Sequence, residues 1–327
     1  MLFLGSQAKI LNILALSDFV WRLNSLYEKI LVPLDGSELA QIALPYAEKL
    51  AGKVGSQITL IYVSGSIDDQ YHHMHQFYLQ KIAEATRQAA ETYIENPEVK
   101  AIKLETAILL GDPAEQIVDY ADKEGIGLII MSTHGRSGIK RWAMGSVADK
   151  VLRATKQPLA LIRAKHTRPD APDKNILSKI LVTLDGSKQS EAVIPCIEEL
   201  ASKLKADVTL LQVVAPDYHI STTGEPEYGV YAEKHAETIQ ALAREYLENI
   251  AAQLKQRGVN AKPEVMFGTA AETIIKFADA IAADMVALST HGRSGVSRWA
   301  LGSVAERVLR AGDTPLLLVR TPGAGTE

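Results

Sequence analysis

The sequence predicts an α/β protein built as two tandem doubly wound domains, each a parallel sheet of five strands in the order 3-2-1-4-5. Three observations carry that prediction. ILVPLDGS at 30–37 returns as ILVTLDGS at 180–187, with seven of eight residues identical. Residues 132–154 return at 289–311, with 18 of 23 identical and STHGRSG unchanged. Within each copy, short apolar runs alternate with longer stretches of helical periodicity, the pattern of strands covered on both faces by helices.

The elements of the first copy follow in order. KILVPL reads as strand 1 and Ser37 to Ala51 as a helix. QITLIYV is strand 2, and a long helix runs through Ala83–Tyr93. LETAIL is strand 3, Pro113–Lys123 a helix, and GLIIMS strand 4. Ser146–Ala154 opens the last helix and PLALIR is strand 5. The two motif pairs are offset by 150 and 157 residues, so the second copy carries seven extra residues in the counterpart of 64–100. Residues 1–26 read as an N-terminal extension, 27–163 as the first domain and 164–178 as an exposed linker. Residues 179–320 read as the second domain and 321–327 as a tail.

The chain has 327 residues, 47% hydrophobic and 23% charged, with a net charge of −4. That is the profile of a globular two-domain protein with no basic field to attract nucleic acid or an anionic membrane. No run of 18 apolar residues suggests a transmembrane helix. The opening residues, interrupted by Lys9, Asp18 and Arg22, fit a secretory signal poorly. They read as an extension outside the folded domains, in which Ile10, Leu11, Leu14 and Trp21 would form a stripe against a partner or membrane surface if helical. The expected location is the cytoplasm. The single cysteine, Cys196, reads as an inert core residue on a helix face. Tyr71-His72-His73-Met74-His75 reads as a solvated loop, an interface or a lid rather than a metal site.

Ligands of open α/β sheets bind at the carboxyl ends of the strands where strand order reverses, here between strands 1 and 4. LDGS ends strand 1 and STHGRSG ends strand 4. From Gly135 to Gly145 the chain forms a long loop, and a helix begins at Gly145-Ser146. Glycine permits close approach of a ligand, and the unpaired amides of a helix start face an anion. Gly145 and Ser146, with Gly302 and Ser303, therefore form a candidate anion site, in which the serine hydroxyl caps its helix or donates to a phosphate. A simple capped turn is the competing reading, which the recurrence of the paired motifs weakens. Asp35 and Asp185 can accept bonds from ribose hydroxyls, cap the following helix together with Ser37 or Ser187, or do both. Arg136 and Arg293 are within loop reach of phosphates or are plain surface residues. His134 and His291 lack neighbours at metal-ligand spacing, and Trp142 and Trp299 read as packing anchors.

These residues resemble the universal stress protein family. The family's pattern is a small residue, two residues, Gly, nine residues, then Gly-Ser. Ser132, Gly135, Gly145 and Ser146 fit it in the first copy, and Ser289, Gly292, Gly302 and Ser303 in the second. Serine at the first position departs from the more usual glycine. The strand-1 aspartates, GDPAEQI at 111–117 and the closing Pro-Leu strands also match, and the likeness spans roughly 27–163 and 178–320. It implies the adenine-nucleotide alpha hydrolase-like fold and ATP as ligand, with or without Mg2+, its phosphates on Gly135–Val147 and Gly292–Val304 and its ribose at Asp35 and Asp185. Adenine would pack near Pro33, Ile58 and Met131 in one copy and near Thr183, Val208 and Leu288 in the other. It also implies that the copies pair through their fifth strands as a pseudo-dimer, which could dimerise again.

The function expected is nucleotide-dependent regulation in stress response, without substantial turnover. The alternatives are a slow or self-phosphorylating ATPase and an interaction module with a vestigial pocket. The enzyme reading lacks a Gly-Lys-Ser/Thr phosphate loop and an evident general base. The vestigial reading must explain two intact glycine loops.

Overall fold

A computed structural model describes residues 26–65, 71–134, 144–163, 176–215, 226–292 and 301–321. In the first copy the elements are β1 (Lys29–Leu34), α1 (Glu38–Gln41), α2 (Leu44–Val54), β2 (Gln57–Ser64), α3 (His72–Glu91), β3 (Leu104–Leu110), α4 (Pro113–Lys123), β4 (Leu128–Ser132), α5 (Ser146–Ala154) and β5 (Leu159–Ile162). The second copy has β6 (Lys179–Leu184), a 3-10 turn at Ser190–Val193, α6 (Ile194–Leu204), β7 (Asp207–Val214), α7 (Pro226–Gln256), β8 (Ala261–Phe267), α8 (Ala270–Ala280), β9 (Met285–Ser289), α9 (Ser303–Ala311) and β10 (Leu316–Val319).

Local chemistry explains most boundaries. Asp112 caps α4, its Oδ1 accepting from Ala114 N at 2.9 Å and Glu115 N at 3.2 Å, with Pro113 opening the helix. That arrangement fills two of the orphan donors of a helix start. The helix expected from Ser37 to Ala51 is broken instead into α1 and α2. Pro45, in the first turn of α2, has no N–H to offer the preceding turn. A second correction concerns the His-rich stretch. His72–His75 form the first turn of α3 rather than a loop, and the His75 ring stacks on Tyr62 with centroids 4.2 Å apart. Among the described residues, no three His, Cys, Asp or Glu side chains gather where a metal could sit. Residues 1–25 of the extension, 164–175 of the linker and residues 293–300 fall outside the described residues.

The strands form one sheet in the order β3-β2-β1-β4-β5-β10-β9-β6-β7-β8. Each half follows the expected 3-2-1-4-5 order and is internally parallel. The halves join where β10 runs antiparallel to β5, with Leu316, Leu317 and Leu318 opposite Leu161, Ala160 and Leu159. The fifth-strand pairing implied by the family resemblance is therefore present. At the outer edge, β8 carries Pro263 flanked by Lys262 and Glu264.

Side chains alternate across the sheet, so each strand feeds two cores. Ile30, Val32, Ile58 and Leu60 face one side, and pack there with Leu50 of α2 and Ile197 of α6. Leu31, Ile61, Ile129 and Leu161 face the other, against Ile117 of α4 and Val308 of α9. Both cores continue from one copy into the other. Tyr27, fully buried, donates its hydroxyl to the Cys196 carbonyl at 2.9 Å. Burial pushes the Cys196 thiol up to about 12, which leaves it protonated and unreactive at neutral pH. Two arginines cross the junction in opposite directions. Arg320, at the end of β10, donates to the carbonyls of Leu152 at 3.5 Å and Arg153 at 2.5 Å, near the C-terminus of α5. Arg163, at the end of β5, reaches the Val308 carbonyl in α9 at 3.5 Å. Positive charge at helix C-termini offsets their partial negative charge.

Arg320→Met keeps the aliphatic stem and removes these donors. It is expected to lower stability by about 1.5–3 kcal/mol, the range for hydrogen bonds to charged groups, read as a shifted urea midpoint with unchanged slope. Burial also raises the Glu48 carboxyl on α2 to about 7. The unfolded chain releases that proton near the ordinary value of 4.5 while the folded chain retains it. Stability from this group is therefore fully present below about 4.5 and is lost as pH rises through 7. Thermal melts from pH 5 to 8 should show a decline that Glu48→Gln flattens.

Candidate functional site

β1 registers with β4 at Ile30–Leu128 and Leu31–Ile129, whereas its pairing with β2 continues through Leu34. The two central strands thus part towards their carboxyl ends and open a crevice. Pro33 lies in this parting stretch, where a strand tolerates a missing N–H. In the second copy, β6 and β9 register from Ile180–Met285 to Val182–Ala287.

The LDGS turns form the near wall. Gly36 and Gly186 have φ of 85° and 83°, a left-handed conformation suited to glycine. The turn lets each aspartate fold back on its serine. Asp35 Oδ1 accepts from Ser37 N at 3.0 Å and Ser37 Oγ at 2.6 Å. Asp185 Oδ1 accepts from Ser187 N at 2.9 Å and Ser187 Oγ at 2.5 Å. The serine Oγ in turn accepts from Ala40 N or Ser190 N, both at 3.2 Å. The turn-capping role is therefore realised by one carboxylate oxygen. The other oxygen of Asp185 looks across the crevice: a Cβ built on Gly292 would lie 2.3 Å from Asp185 Oδ2. Only a glycine at 292 allows the two motifs to meet this closely, so the recurring pair is one structural unit.

The far wall comes from the ends of β4 and β9. Thr133 and Thr290 anchor these ends, their amides donating to the carbonyls of Ile162 and Val319 at 2.9 Å. Ser132 Oγ donates to the His134 carbonyl. Ser289 Oγ pairs with Thr321 Oγ1 at 3.0 Å. The serine that departs from the family's glycine thus pins its own loop in both copies. The chain later returns to the same strand end, where Gly145 N donates to Thr133 O and Gly302 N to Thr290 O, each at 2.8 Å. A Cβ at these glycines would sit 3.2 Å and 3.0 Å from those carbonyls. Helices α5 and α9 start immediately afterwards without a side-chain cap. Their first-turn amides, from Ser146, Val147 and Ala148 and from Ser303, Val304 and Ala305, have no intrahelical acceptor.

In the second copy these parts enclose a crevice of about 260 Å3. Thr183, Asp185, Leu288, Ser289, Gly292, Gly302, Ser303 and Val304 all line it. Asp185 is the one ionisable carboxylate among the described lining residues, and they include no Lys or Arg. An anion here would be held by backbone amides and hydroxyls. In the first copy Pro33, Asp35, Met131, Ser132, Gly145, Ser146 and Val147 occupy the corresponding positions. Gly135, Arg136, Arg293 and both tryptophans lie outside the described residues.

Val208 does not line the second copy's crevice, and Ile58 is its counterpart in the first copy. They register with Ile30 and Ile180, at the amino ends of the strands, and are buried in the core on the opposite sheet face. The second-strand residues that line the crevice are Leu211 and Val213, three and five positions further on, with Ala270 and Ile274 of α8 beside them. Strand alternation carries the missed signal, because an odd shift along a strand changes the face. GDPAEQI also held it, since Pro113 and Ile117 are the counterparts of Ala270 and Ile274. His134 and His291 each place Nδ1 3.0 Å from the preceding threonine Oγ1, and their buried Nε2 atoms have no hydrogen-bond partner among the described residues.

Comparison with known proteins accords with this construction. The family model described as the universal stress protein family matches residues 26–163 and again 177–320. Universal stress protein Slr1230 of Synechocystis sp. is 25% identical over 322 residues, covering 90% of this chain and 100% of its own. Among solved structures, protein PA1789 of Pseudomonas aeruginosa, described as functionally unknown, superposes with a TM-score of 0.67 at 21% identity, over 92% of this chain and 96% of its own. A universal stress protein of Archaeoglobus fulgidus gives a TM-score of 0.62 at 20% identity, over 92% and 100%. A doubled family match over doubled domains, joined into one sheet, leads to a single assignment: the chain belongs to the universal stress protein family as a tandem two-domain member.

Proposed function

We propose that this protein binds adenine nucleotides, ATP foremost, at two crevices per chain, and acts in the cytoplasm as a nucleotide-dependent regulator in stress response. The observation that carries this reading is the contact between the two motifs. An uncapped helix start of nine residues, with three free amides, stands across a crevice from a carboxylate, and the same parts recur in the other copy. The amides suit a phosphate tail, and the helix dipole adds to them. The second oxygen of Asp185 suits a ribose hydroxyl. Leu211, Val213, Ile274 and Leu288 offer an apolar slot for a base.

Catalysis is not part of the proposal. Among the described lining residues there is no Lys or Arg to neutralise charge developing on a transferred phosphoryl group. Asp185 Oδ1 is already committed to the turn. Any hydrolysis is expected below about 1 per second, the lower end of ordinary enzyme turnover.

Denaturing the purified protein and identifying released small molecules by mass spectrometry should yield two adenine nucleotides per chain. Finding none, together with no thermal shift on adding ATP, would sink the proposal. Gly145→Val with Gly302→Val should abolish binding. The new Cβ atoms need a shift of only a few tenths of an ångström from the threonine carbonyls, so circular dichroism should stay native while the added methyls block the amides. Tight ATP binding by that double variant would place the site elsewhere.

A further inference from the structure

We infer that the two sites are unequal, and that Thr183 makes them so by hydrogen-bonding the polar edge of the base in the second crevice. The inference rests on the nucleotide reading above. It comes from comparing the two linings position by position. Most residues are identical, among them the aspartate, the Ser-Thr-His-Gly strand end and the Gly-Ser-Val-Ala helix start. Leu211 for Ile61, Leu288 for Met131 and Ala270 for Pro113 exchange one apolar group for another. Ser190 for Ala40 adds a hydroxyl, but that hydroxyl donates to the Ser187 carbonyl at 2.8 Å and accepts from Asp185 N at 3.3 Å. Thr183 for Pro33 is the remaining exchange. Thr183 is half-buried and lines the crevice, and its hydroxyl has no hydrogen bond among the described residues.

Position defines what this hydroxyl can meet. Thr183 lies on β6 two residues before Asp185, the first residue past that strand's end, so by strand alternation it points towards the same face about 7 Å deeper. Above it stands the carboxylate suited to ribose, and the helix amides lie across the opening. Around it are Leu211, which is its register partner, and Leu288, which is level with it because Val182 pairs with Ala287. It is the polar group of an apolar slot. A hydroxyl both donates and accepts, so it can serve the amino group or a ring nitrogen of adenine. Left without a partner when a ligand excludes water, it would cost affinity. Proline in the first site offers neither a hydroxyl nor an amide hydrogen.

The test is calorimetric titration of ATP into the full chain, with one site blocked at a time. Gly145→Val leaves the second site to be read, and Gly302→Val the first. The second site is expected to bind more tightly. In the Gly145→Val background, Thr183→Val should weaken ATP binding roughly three- to ten-fold, the value of one neutral hydrogen bond. Thr183→Ser should keep the parent affinity. Equal affinities at the two sites, or a Thr183→Val affinity equal to its parent's, would overturn the inference while leaving nucleotide binding intact. If Thr183→Val and Thr183→Ser weaken binding alike, the role belongs to packing and the inference also fails. Absence of ATP binding to the unmodified chain would overturn the nucleotide reading itself, and this inference with it.

Discussion

Everything in this molecule is organised by the parting of two parallel strands. β1 and β4, like β6 and β9, hold together at their amino ends and diverge towards their carboxyl ends. Divergence follows from the winding, since the chain leaves these strands towards opposite faces of the sheet. It leaves a crevice bounded by backbone rather than by long side chains. The aspartate of one strand end and the glycine of the other can then approach to within contact. A single methyl group at Gly292 would hold the walls apart. The pairing of an aspartate in one motif with a glycine in the other is understandable on this ground, because a side chain at Gly292 would occupy the space Asp185 Oδ2 takes.

The fifth strands supply the frame in which two such crevices coexist. Their antiparallel pairing merges two sheets into one, and both hydrophobic cores pass through the junction without a break. Arg163 and Arg320 extend the union to the helices. Each helix that begins at one crevice has its far end contacted by the other domain. The rigid backbone geometry of each site is thus supported partly by the opposite copy.

Much of this was legible from residues alone. The apolar runs and their spacing disclosed ten strands and their winding, and α4 and α5 begin and end where capping and periodicity placed them. The motifs led directly to the crevice. What escaped has identifiable physical causes. Pro45 divides a helix whose amphipathic pattern runs on regardless. The His-rich stretch has weak helix propensity but is drawn into α3, where His75 gains a stacking surface on Tyr62. Ile58 and Val208 were apolar residues on the right strands but on the wrong face and at the wrong end. Depth within a strand is set by register with its neighbours, which a linear reading does not contain.

One feature of the outer sheet has a consequence for the molecule's behaviour in a crowded cell. A ten-stranded sheet whose inner edges are joined still has two open margins, β3 and β8, and open margins recruit further strands. On β8, Pro263 withholds a donor, and Lys262 and Glu264 set charges on either side of it. On β3, Glu105 stands exposed. Both margins therefore carry groups that disfavour the addition of a further strand.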